Sequence, residues 1–143
     1  MKEKKDRLDD ALQATKAALE EGILPGAGVA LLHARKAIHM DGKDDIIKGA
    51  EIIFTACNKP FKQILQNAGE DASEWWMKLY NQGTSMVPNL SDGTIVDAYE
   101  SGIIDPTKVV RCALENAAAA AVTLLMTEAV IYEKPSDKKK DDG

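Results

Sequence analysis

Apolar residues recur at helical spacing along most of this chain, and this periodicity is the feature that most constrains its fold. The first segment, Lys2 to Glu21, has one apolar stripe made of Leu8, Ala11, Leu12, Thr15, Ala18 and Leu19. Residues three or four positions apart share one face of a helix. Gly22 suits the position just after a helix, and Pro25 cannot continue one. The pattern therefore predicts an amphipathic helix over residues 2–21.

The same periodicity predicts four more helices between residues 29 and 80. They run from about Val29 to Ile38, from Asp45 to Cys57, from Pro60 to Gly69, and over a short segment for which Ser73 suits the N-cap. The residues expected on their apolar faces are Ile46, Ile47, Ala50, Ile53, Phe54, Cys57, Phe61, Ile64, Leu65, Ala68, Trp75, Trp76, Leu79 and Tyr80.

The periodicity fails between Gln82 and Thr94, where glycine, proline, asparagine and aspartate are frequent. These are turn-forming residues, and they predict a short β-hairpin. Further on, Asp105-Pro106-Thr107 is typical of a helix start, with aspartate as N-cap and proline in the first turn.

The helix that starts there contains an alanine run, Ala117 to Ala121. Small side chains let helix backbones approach closely, so we expect this helix at the centre of the core. Ala129 to Tyr132 suggests a short C-terminal strand, and the charged tail from Lys134 has nothing to bury, which predicts disorder. The fold class is therefore mainly α: a helical bundle with a small β-hairpin and a short C-terminal strand.

Composition excludes several classes of function. The chain has 143 residues and a net charge of −5, which suits one domain and argues against general binding to nucleic-acid phosphates. It contains no apolar run near the roughly 20 residues that cross a bilayer, and no signal-peptide pattern. Cys57 and Cys112 lie far apart without metal-ligand spacing, so neither zinc nor a disulfide framework is indicated. We expect a cytoplasmic protein that binds neither nucleic acid nor membrane.

No set of residues establishes a catalytic site by itself. His33 and His39 are too few for a metal site, and rim histidines are the simpler interpretation. Gly26-Ala27-Gly28 before a helix can present N–H groups to an anion, but it lacks the full dinucleotide spacing, so a plain turn between helices is the default interpretation. Asp92-Gly93-Thr94 resembles a phosphate or magnesium motif, although Asp-Gly is first a turn signal.

Three separated blocks, taken together, resemble the group I chaperonins (GroEL-type). The first is Arg7-Leu8-Asp9-Asp10-Ala11-Leu12, continued by Glu20-Glu21-Gly22; the second is Pro25-Gly26-Ala27-Gly28-Val29-Ala30-Leu31. The third, Gly102-Ile103-Ile104-Asp105-Pro106-Thr107-Lys108-Val109, is followed by Arg111, Ala113-Leu114 and Thr127-Glu128. The blocks occur in the family's order and at its spacing.

The resemblance implies an ATP site that uses Mg²⁺, and it assigns roles to particular positions. Asp10 corresponds to the catalytic aspartate, which helps to position the attacking water and the metal. The nucleotide-binding positions are Gly26, Ala27 and Gly28 in the glycine-rich loop, Asn89, Leu90 and Ser91 at the adenine, Ile103 on the base, and Asp105 at the ribose hydroxyls. Glu21 and Arg111 correspond to a structural charged pair. In this register Asp92-Gly93-Thr94 is not the phosphate motif.

The chain also departs from the family pattern. Ala27 replaces a glycine, and its Cβ is expected to crowd the nucleotide or to oppose a positive φ. The usual Gly-Met-rich tail is replaced by residues 134–143. The resemblance implies that the other half of the equatorial domain and the apical domain are not among these 143 residues. We therefore expect the end of an intermediate-domain helix over residues 1–22, the C-terminal half of an equatorial domain over 23–133, and a disordered tail over 134–143.

The resemblance thus predicts a fragment of an ATP-dependent protein-folding chaperonin with little or no activity alone. Its expected partners are other chaperonin subunits in a homo-oligomer, with unfolded clients and a co-chaperonin reached only through the apical domain. The alternative is a naturally short chaperonin-like module that docks with a full-length subunit or self-associates.

Overall fold

The computed structural model describes residues 2–39 and 41–132, which contain seven α-helices and four short strands. In chain order the elements are α1 (Lys2–Glu21), β1 (Ile23–Pro25), α2 (Val29–Ala34), α3 (Asp44–Ala56), α4 (Lys59–Asn67), α5 (Ala72–Leu79), β2 (Met86–Asn89), β3 (Thr94–Asp97), α6 (Ala98–Ser101), β4 (Ile104–Pro106) and α7 (Thr107–Leu125). The mainly helical class is confirmed. The chain divides into two units, residues 1–111 and residues 112–143.

Two antiparallel pairs of strands organise the first unit. Strands β2 and β3 form the hairpin that the turn residues predict, with Met86 opposite Asp97 and Asn89 opposite Thr94. The second pair was not foreseen, because β1 and β4 are about eighty residues apart in sequence. They pair with Leu24 opposite Asp105 and Pro25 opposite Ile104.

The core of this unit lies between the helices and the hairpin. Its buried side chains are Val29, Leu32, Phe61, Leu65, Trp75, Leu79, Val87 and Ala98. The short helix after residue 71 therefore contributes to the core, as predicted for Trp75 and Leu79. Helix α2 ends earlier than expected, at Ala34, and continues as one 3₁₀ turn over Arg35–Ala37.

Two predicted helix caps are wrong. Asp71, not Ser73, caps α5, because its carboxylate accepts the N–H groups of Ser73 at 2.6 Å and Glu74 at 3.2 Å. Asp105 does not cap α7. It pairs in an extended strand, and α7 begins at Thr107, whose N–H donates to the Gly22 carbonyl at 3.0 Å.

Several apolar side chains expected in the core are exposed. On α1, Leu8 is 64% and Leu19 83% exposed, and on α3 Ile46 is 60% exposed. Ile53 and Ile64 are also exposed, whereas Cys57 is buried as predicted. Periodicity identifies the apolar face of a helix but not the element that covers it.

The second unit also differs from expectation. The alanine run is helical, but Ala117 to Ala121 are exposed, so the predicted central position is wrong. Residues 129–132 are irregular, and no strand of the described residues pairs with them. A strand needs a neighbour for its backbone groups. The predicted disorder from Lys134 lies outside the described residues. No described helix is long and apolar enough to cross a membrane.

Candidate functional site

The pairing of β1 with β4 brings together three parts of the predicted nucleotide site. The glycine-rich turn follows β1 directly, and Ile103 and Asp105 lie at and in β4. The register places Asp105 opposite Leu24, and the N–H of Gly26 donates to the Ile103 carbonyl at 2.8 Å. The pairing of β1 with β4, called the β1–β4 edge below, therefore brings the turn after β1 close to Ile103 and Asp105, although these residues are far apart in sequence.

Both glycines of the turn are explained by close backbone contacts. A Cβ on Gly26 would lie 2.9 Å from the Ile103 carbonyl oxygen. Gly28 has φ +72°, and a Cβ there would lie 2.7 Å from the Phe61 nitrogen and 2.9 Å from its Cα. Neither site has room for a side chain, because the turn packs against β4 on one side and against the start of α4 on the other.

Ala27 adopts a positive φ of +54°. The replacement of glycine by alanine therefore does not prevent this conformation. It leaves a strained residue, since the left-handed region costs an L-residue roughly 1–2 kcal/mol. Ala27 is half-buried and packs against the core cluster.

The Asp105 carboxyl is partly removed from water. Its side chain is half-buried, and burial raises the pKa of the carboxyl. Among the described residues, no hydrogen bond or ion pair to this carboxylate is formed. A partly desolvated carboxylate without a partner is destabilised, and hydroxyl groups of a ligand would compensate it.

The hairpin turn is held by its own polar side chains. Asn89 Oδ1 accepts the Ser91 hydroxyl at 2.7 Å, and Asn89 Nδ2 donates to Asp92 Oδ2 at 3.1 Å. Asp92 Oδ1 accepts the Thr94 hydroxyl at 2.7 Å, which lowers the pKa of Asp92. Asp92-Gly93-Thr94 thus forms a turn, as its sequence indicates. Leu90 packs on the same core cluster as Ala27 and Ile103, which links the turn to the β1–β4 edge.

Asp10 lies apart from these residues. It is exposed on α1, twelve residues before Gly22, which corresponds to about 18 Å along a helix axis. Within the described part of the chain, no group of three or more His, Cys, Asp or Glu side chains is placed to hold a metal ion. A lone carboxylate fits Mg²⁺ only where phosphate oxygens and water complete its shell.

The end of α1 is joined to the start of α7 by two ion pairs. Arg111 donates to both carboxylate oxygens of Glu21, from Nε at 3.0 Å and from Nη2 at 2.5 Å, which lowers the pKa of Glu21. The Lys108 ammonium pairs with one carboxylate oxygen of Glu20. The Glu21–Arg111 pair that the resemblance implies is present. The Glu20 pair was missed, although adjacent acidic residues at a helix end were its signal.

The remaining candidate residues are two histidines and two cysteines, which differ in burial. His33 is half-buried, and desolvation lowers its pKa, with smaller contributions from Lys36 and Arg35. His39 is exposed. Cys57 is buried, which raises the pKa of its thiol, and Cys112 is half-buried.

Comparison with known proteins identifies a family that matches the sequence and a solved structure that is similar to the fold. A sequence model of the TCP-1/cpn60 chaperonin family matches residues 1–135. Among solved structures, a group III chaperonin crystallised in the open state is similar over 80% of this chain, with 25% sequence identity and a TM-score of 0.69. The match covers 25% of that chaperonin, so this chain spans about a quarter of its length.

Proposed function

Because this chain belongs to the TCP-1/cpn60 chaperonin family, we propose that it supplies the adenosine side of an ATP site and the catalytic aspartate of an ATP-dependent protein-folding chaperonin. The observation that carries the proposal is the half-buried Asp105 carboxylate, which forms no hydrogen bond or ion pair within the described residues and belongs to the strand that pairs with β1 just before the glycine-rich turn. A ribose offers the two hydroxyl donors that such a carboxylate needs.

Each part of the β1–β4 edge has a distinct role in this proposal. Asp105 accepts hydrogen bonds from the ribose hydroxyls and so fixes the sugar. Ile103 and Leu90, which both pack against the core, offer apolar surface to the base. The Gly26–Gly28 turn allows close approach because it presents little more than backbone. The Asn89 Oδ1 accepts hydrogen bonds from the Ser91 hydroxyl and N–H, and these hold the turn that meets the adenine.

Asp10 is assigned the catalytic role, which it takes up when α1 moves towards the nucleotide. A rigid helix keeps its carboxylate about 18 Å from Gly22, so it acts at the phosphates and not at the ribose that Asp105 holds. Once there, it orients the attacking water and contributes one oxygen to Mg²⁺. The metal, when bound, offsets the charge of the phosphates.

Three finer assignments belong to the same proposal. The blocks around Gly26 and Ile103 favour the group I class of chaperonin over other classes. Residues 1–22 correspond to the end of an intermediate-domain helix and residues 23–133 to the C-terminal half of an equatorial domain. The partners are other subunits of the same kind, in the cytoplasm, with clients and co-chaperonin bound elsewhere in the whole protein.

The proposal is tested by nucleoside binding, followed by NMR of backbone amides. Adenosine is expected to shift Gly26, Gly28, Leu90 and Ile103, and 2′,3′-dideoxyadenosine to bind about tenfold more weakly, because it lacks the hydroxyls that Asp105 accepts. Asp105→Asn should remove most of that preference.

Asp41→Asn, at an exposed aspartate in the loop before α3, is the control and should keep the preference. An unchanged preference in Asp105→Asn, or shifts confined to other residues, would contradict the assignment. Phosphoryl transfer depends on several groups acting together, so the purified chain should hydrolyse ATP far more slowly than a whole chaperonin.

A second function, that of an interaction module, is favoured by the exposed apolar stripe of α1. Leu8, Leu12 and Leu19 are 54–83% exposed, and exposed apolar patches mark interfaces. Light scattering coupled to size-exclusion chromatography tests this function. A monomer at all concentrations would exclude self-association.

A further inference from the structure

One carboxylate, that of Asp97, joins the β2–β3 hairpin to helix α6. Asp97 is the last residue of β3, where it lies opposite Met86, and it is also the N-cap of α6. Its Oδ1 accepts the N–H groups of Tyr99 at 2.8 Å and Glu100 at 3.2 Å. Its Oδ2 accepts the hydroxyl of Ser85, the residue just before β2, at 2.6 Å. The two oxygens therefore hold α6 and the start of the hairpin to each other.

Further hydrogen bonds close the same junction. The N–H of Ala98, which is fully buried, donates to the Ser85 carbonyl at 2.9 Å, and the Ser101 hydroxyl donates to the Asp97 carbonyl at 2.5 Å. The Ser85 hydroxyl and the N–H groups of α6 lower the pKa of the Asp97 carboxyl, so it is ionised at neutral pH. Hydrogen bonds to an ionised acceptor are stronger than neutral ones, and the junction is therefore firmly held.

Helix α6 connects this junction to Ile103. It has only four residues and ends at Gly102, which has φ +73°. Ile103 follows, packs against the core cluster, and accepts the Gly26 N–H at 2.8 Å through its carbonyl. Leu90, which packs on the same cluster, lies in the hairpin turn at the other end of β2 and β3. Because α6 joins the hairpin to Ile103, its position affects the separation of the two apolar surfaces assigned to the base.

We propose that Asp97 is a positioning residue for the base, because it holds α6 against the hairpin and so fixes Ile103 relative to Leu90. This inference rests on the proposed function, in which both side chains contact the adenine. The ribose is held from another element, since Asp105 lies in β4 and is fixed by the pairing of β4 with β1. Loss of the Asp97 bonds should therefore weaken the contact with the base and leave the preference for ribose hydroxyls.

The test measures adenosine binding by three variants of this junction. Asp97→Ala removes every bond of the carboxylate and should weaken binding about three- to tenfold, because a loosened segment must be ordered when the ligand binds. Asp97→Asn keeps one oxygen for the N–H groups of α6, and its amide donates to the Ser85 hydroxyl oxygen, so its affinity should stay within about twofold of the parent. Ser85→Ala keeps the cap of α6 but loses the bond to the hairpin, and should weaken binding about two- to threefold.

Asp71→Ala is the matched control. Asp71 caps α5 through the same pair of bonds, from the N–H groups of Ser73 at 2.6 Å and Glu74 at 3.2 Å, and α5 contains none of the residues assigned to the nucleotide. Its loss should lower stability as the loss of the α6 cap does, but should leave the affinity for adenosine unchanged. In all four variants the preference for adenosine over 2′,3′-dideoxyadenosine should stay at about tenfold.

Hydrogen exchange of the Gly26 amide tests the same inference without a ligand. This N–H donates to the Ile103 carbonyl, so a mobile Ile103 exposes it to water. The amide of the fully buried Leu65 reports opening of the core and serves as the reference. Asp97→Ala should speed exchange at Gly26 at least about tenfold more than at Leu65, whereas Asp71→Ala should change both amides equally.

Three results would overturn the inference. They are equal weakening of adenosine binding by Asp97→Ala and Asp71→Ala, binding by Asp97→Asn as weak as that by Asp97→Ala, and exchange at Gly26 that changes only as much as at the reference amide. If Asp97→Ala fails to fold, Ser85→Ala decides the outcome by the same comparisons. If the parent protein binds no adenosine, the proposed function fails, and exchange at Gly26 still decides whether Asp97 holds this segment.

Discussion

Replacement of Gly28 by alanine measures how closely the glycine-rich turn packs against α4. The new Cβ would lie 2.7 Å from the Phe61 nitrogen and 2.9 Å from its Cα, distances that real Cβ atoms do not show. Both neighbours are backbone atoms, so a side-chain rotation cannot relieve the overlap. Residue 28 also has φ +72°, which alanine adopts only with strain.

The expected loss of stability has three parts. The left-handed conformation costs alanine roughly 1–2 kcal/mol, and alanine recovers about 0.4–1 kcal/mol because its unfolded chain is less free than that of glycine. Forcing an extra carbon into a packed site adds about 1–3 kcal/mol. The net backbone cost of about 0.5–1 kcal/mol adds to the cost of the overlap, so we expect Gly28→Ala to lower the free energy of unfolding by about 1.5–4 kcal/mol.

Gly93 provides the matched control. It has the same φ of +72° in the hairpin turn, but no described atom lies within 4 Å of its would-be Cβ. Gly93→Ala should therefore lower stability by only about 0.5–1 kcal/mol, the part due to backbone strain. Urea unfolding followed by tryptophan fluorescence measures both variants, because Trp75 is buried in the core. Equal losses for the two variants would show that the contact with Phe61 is not tight, and would refute the packing argument.

Three further variants test the charges and the strain at named positions. Ala27→Gly should raise the free energy of unfolding by about 0.5–1 kcal/mol by removing a strained left-handed alanine, and a lower urea midpoint would contradict the positive φ. Asp105→Asn should increase the free energy of unfolding near neutral pH, because burial raises the pKa of the Asp105 carboxyl in the folded protein. The parent protein therefore loses stability as pH rises from the unfolded-state pKa through the folded-state pKa. In acid, where the carboxyl is protonated in both states, the variant should gain nothing over the parent. Asp71→Asn keeps an N-cap but removes a carboxyl whose pKa is lowered by the N–H groups of Glu74 and Ser73. The ionised Asp71 carboxylate stabilises the fold, and this stabilisation is lost as pH falls through the folded pKa. The stability of the variant should therefore fall less steeply with acidification than that of the parent.

Local patterns predicted the elements whose signals are local. The helix over 2–21 is correct to the residue, because its periodicity, Gly22 and Pro25 all act within one segment. The hairpin is correct because its turn residues lie between its strands. The β1–β4 pair could not be found in this way. Each strand has three residues, and their partners are separated by most of the first unit.

The misassigned cap at Asp105 has the same origin. Asp-Pro-Thr is a helix start by local rules, and α7 does begin at Thr107. Its aspartate is instead part of a strand, because Leu24 lies opposite it and the Thr107 N–H finds its acceptor at Gly22. The Gly22 carbonyl, which is distant in sequence, accepts the Thr107 N–H in place of a local cap. The Asp105 carboxylate therefore has no backbone partner among the described residues.

The packing of the glycine-rich turn limits what its own variants can say about function. Gly26 and Gly28 are required by contacts with Ile103 and Phe61, whatever the turn binds. A Gly28→Ala protein that fails to bind adenosine would therefore show only that the sheet edge has moved. Asp105 differs, because its carboxylate forms no hydrogen bond or ion pair within the described residues. Burial of the ionised carboxylate lowers the stability of the fold. Asp105→Asn is expected to increase stability and to remove the preference for ribose hydroxyls. Opposite changes in stability and in binding separate ligand binding from folding, because removal of a purely structural carboxylate would lower stability and binding together.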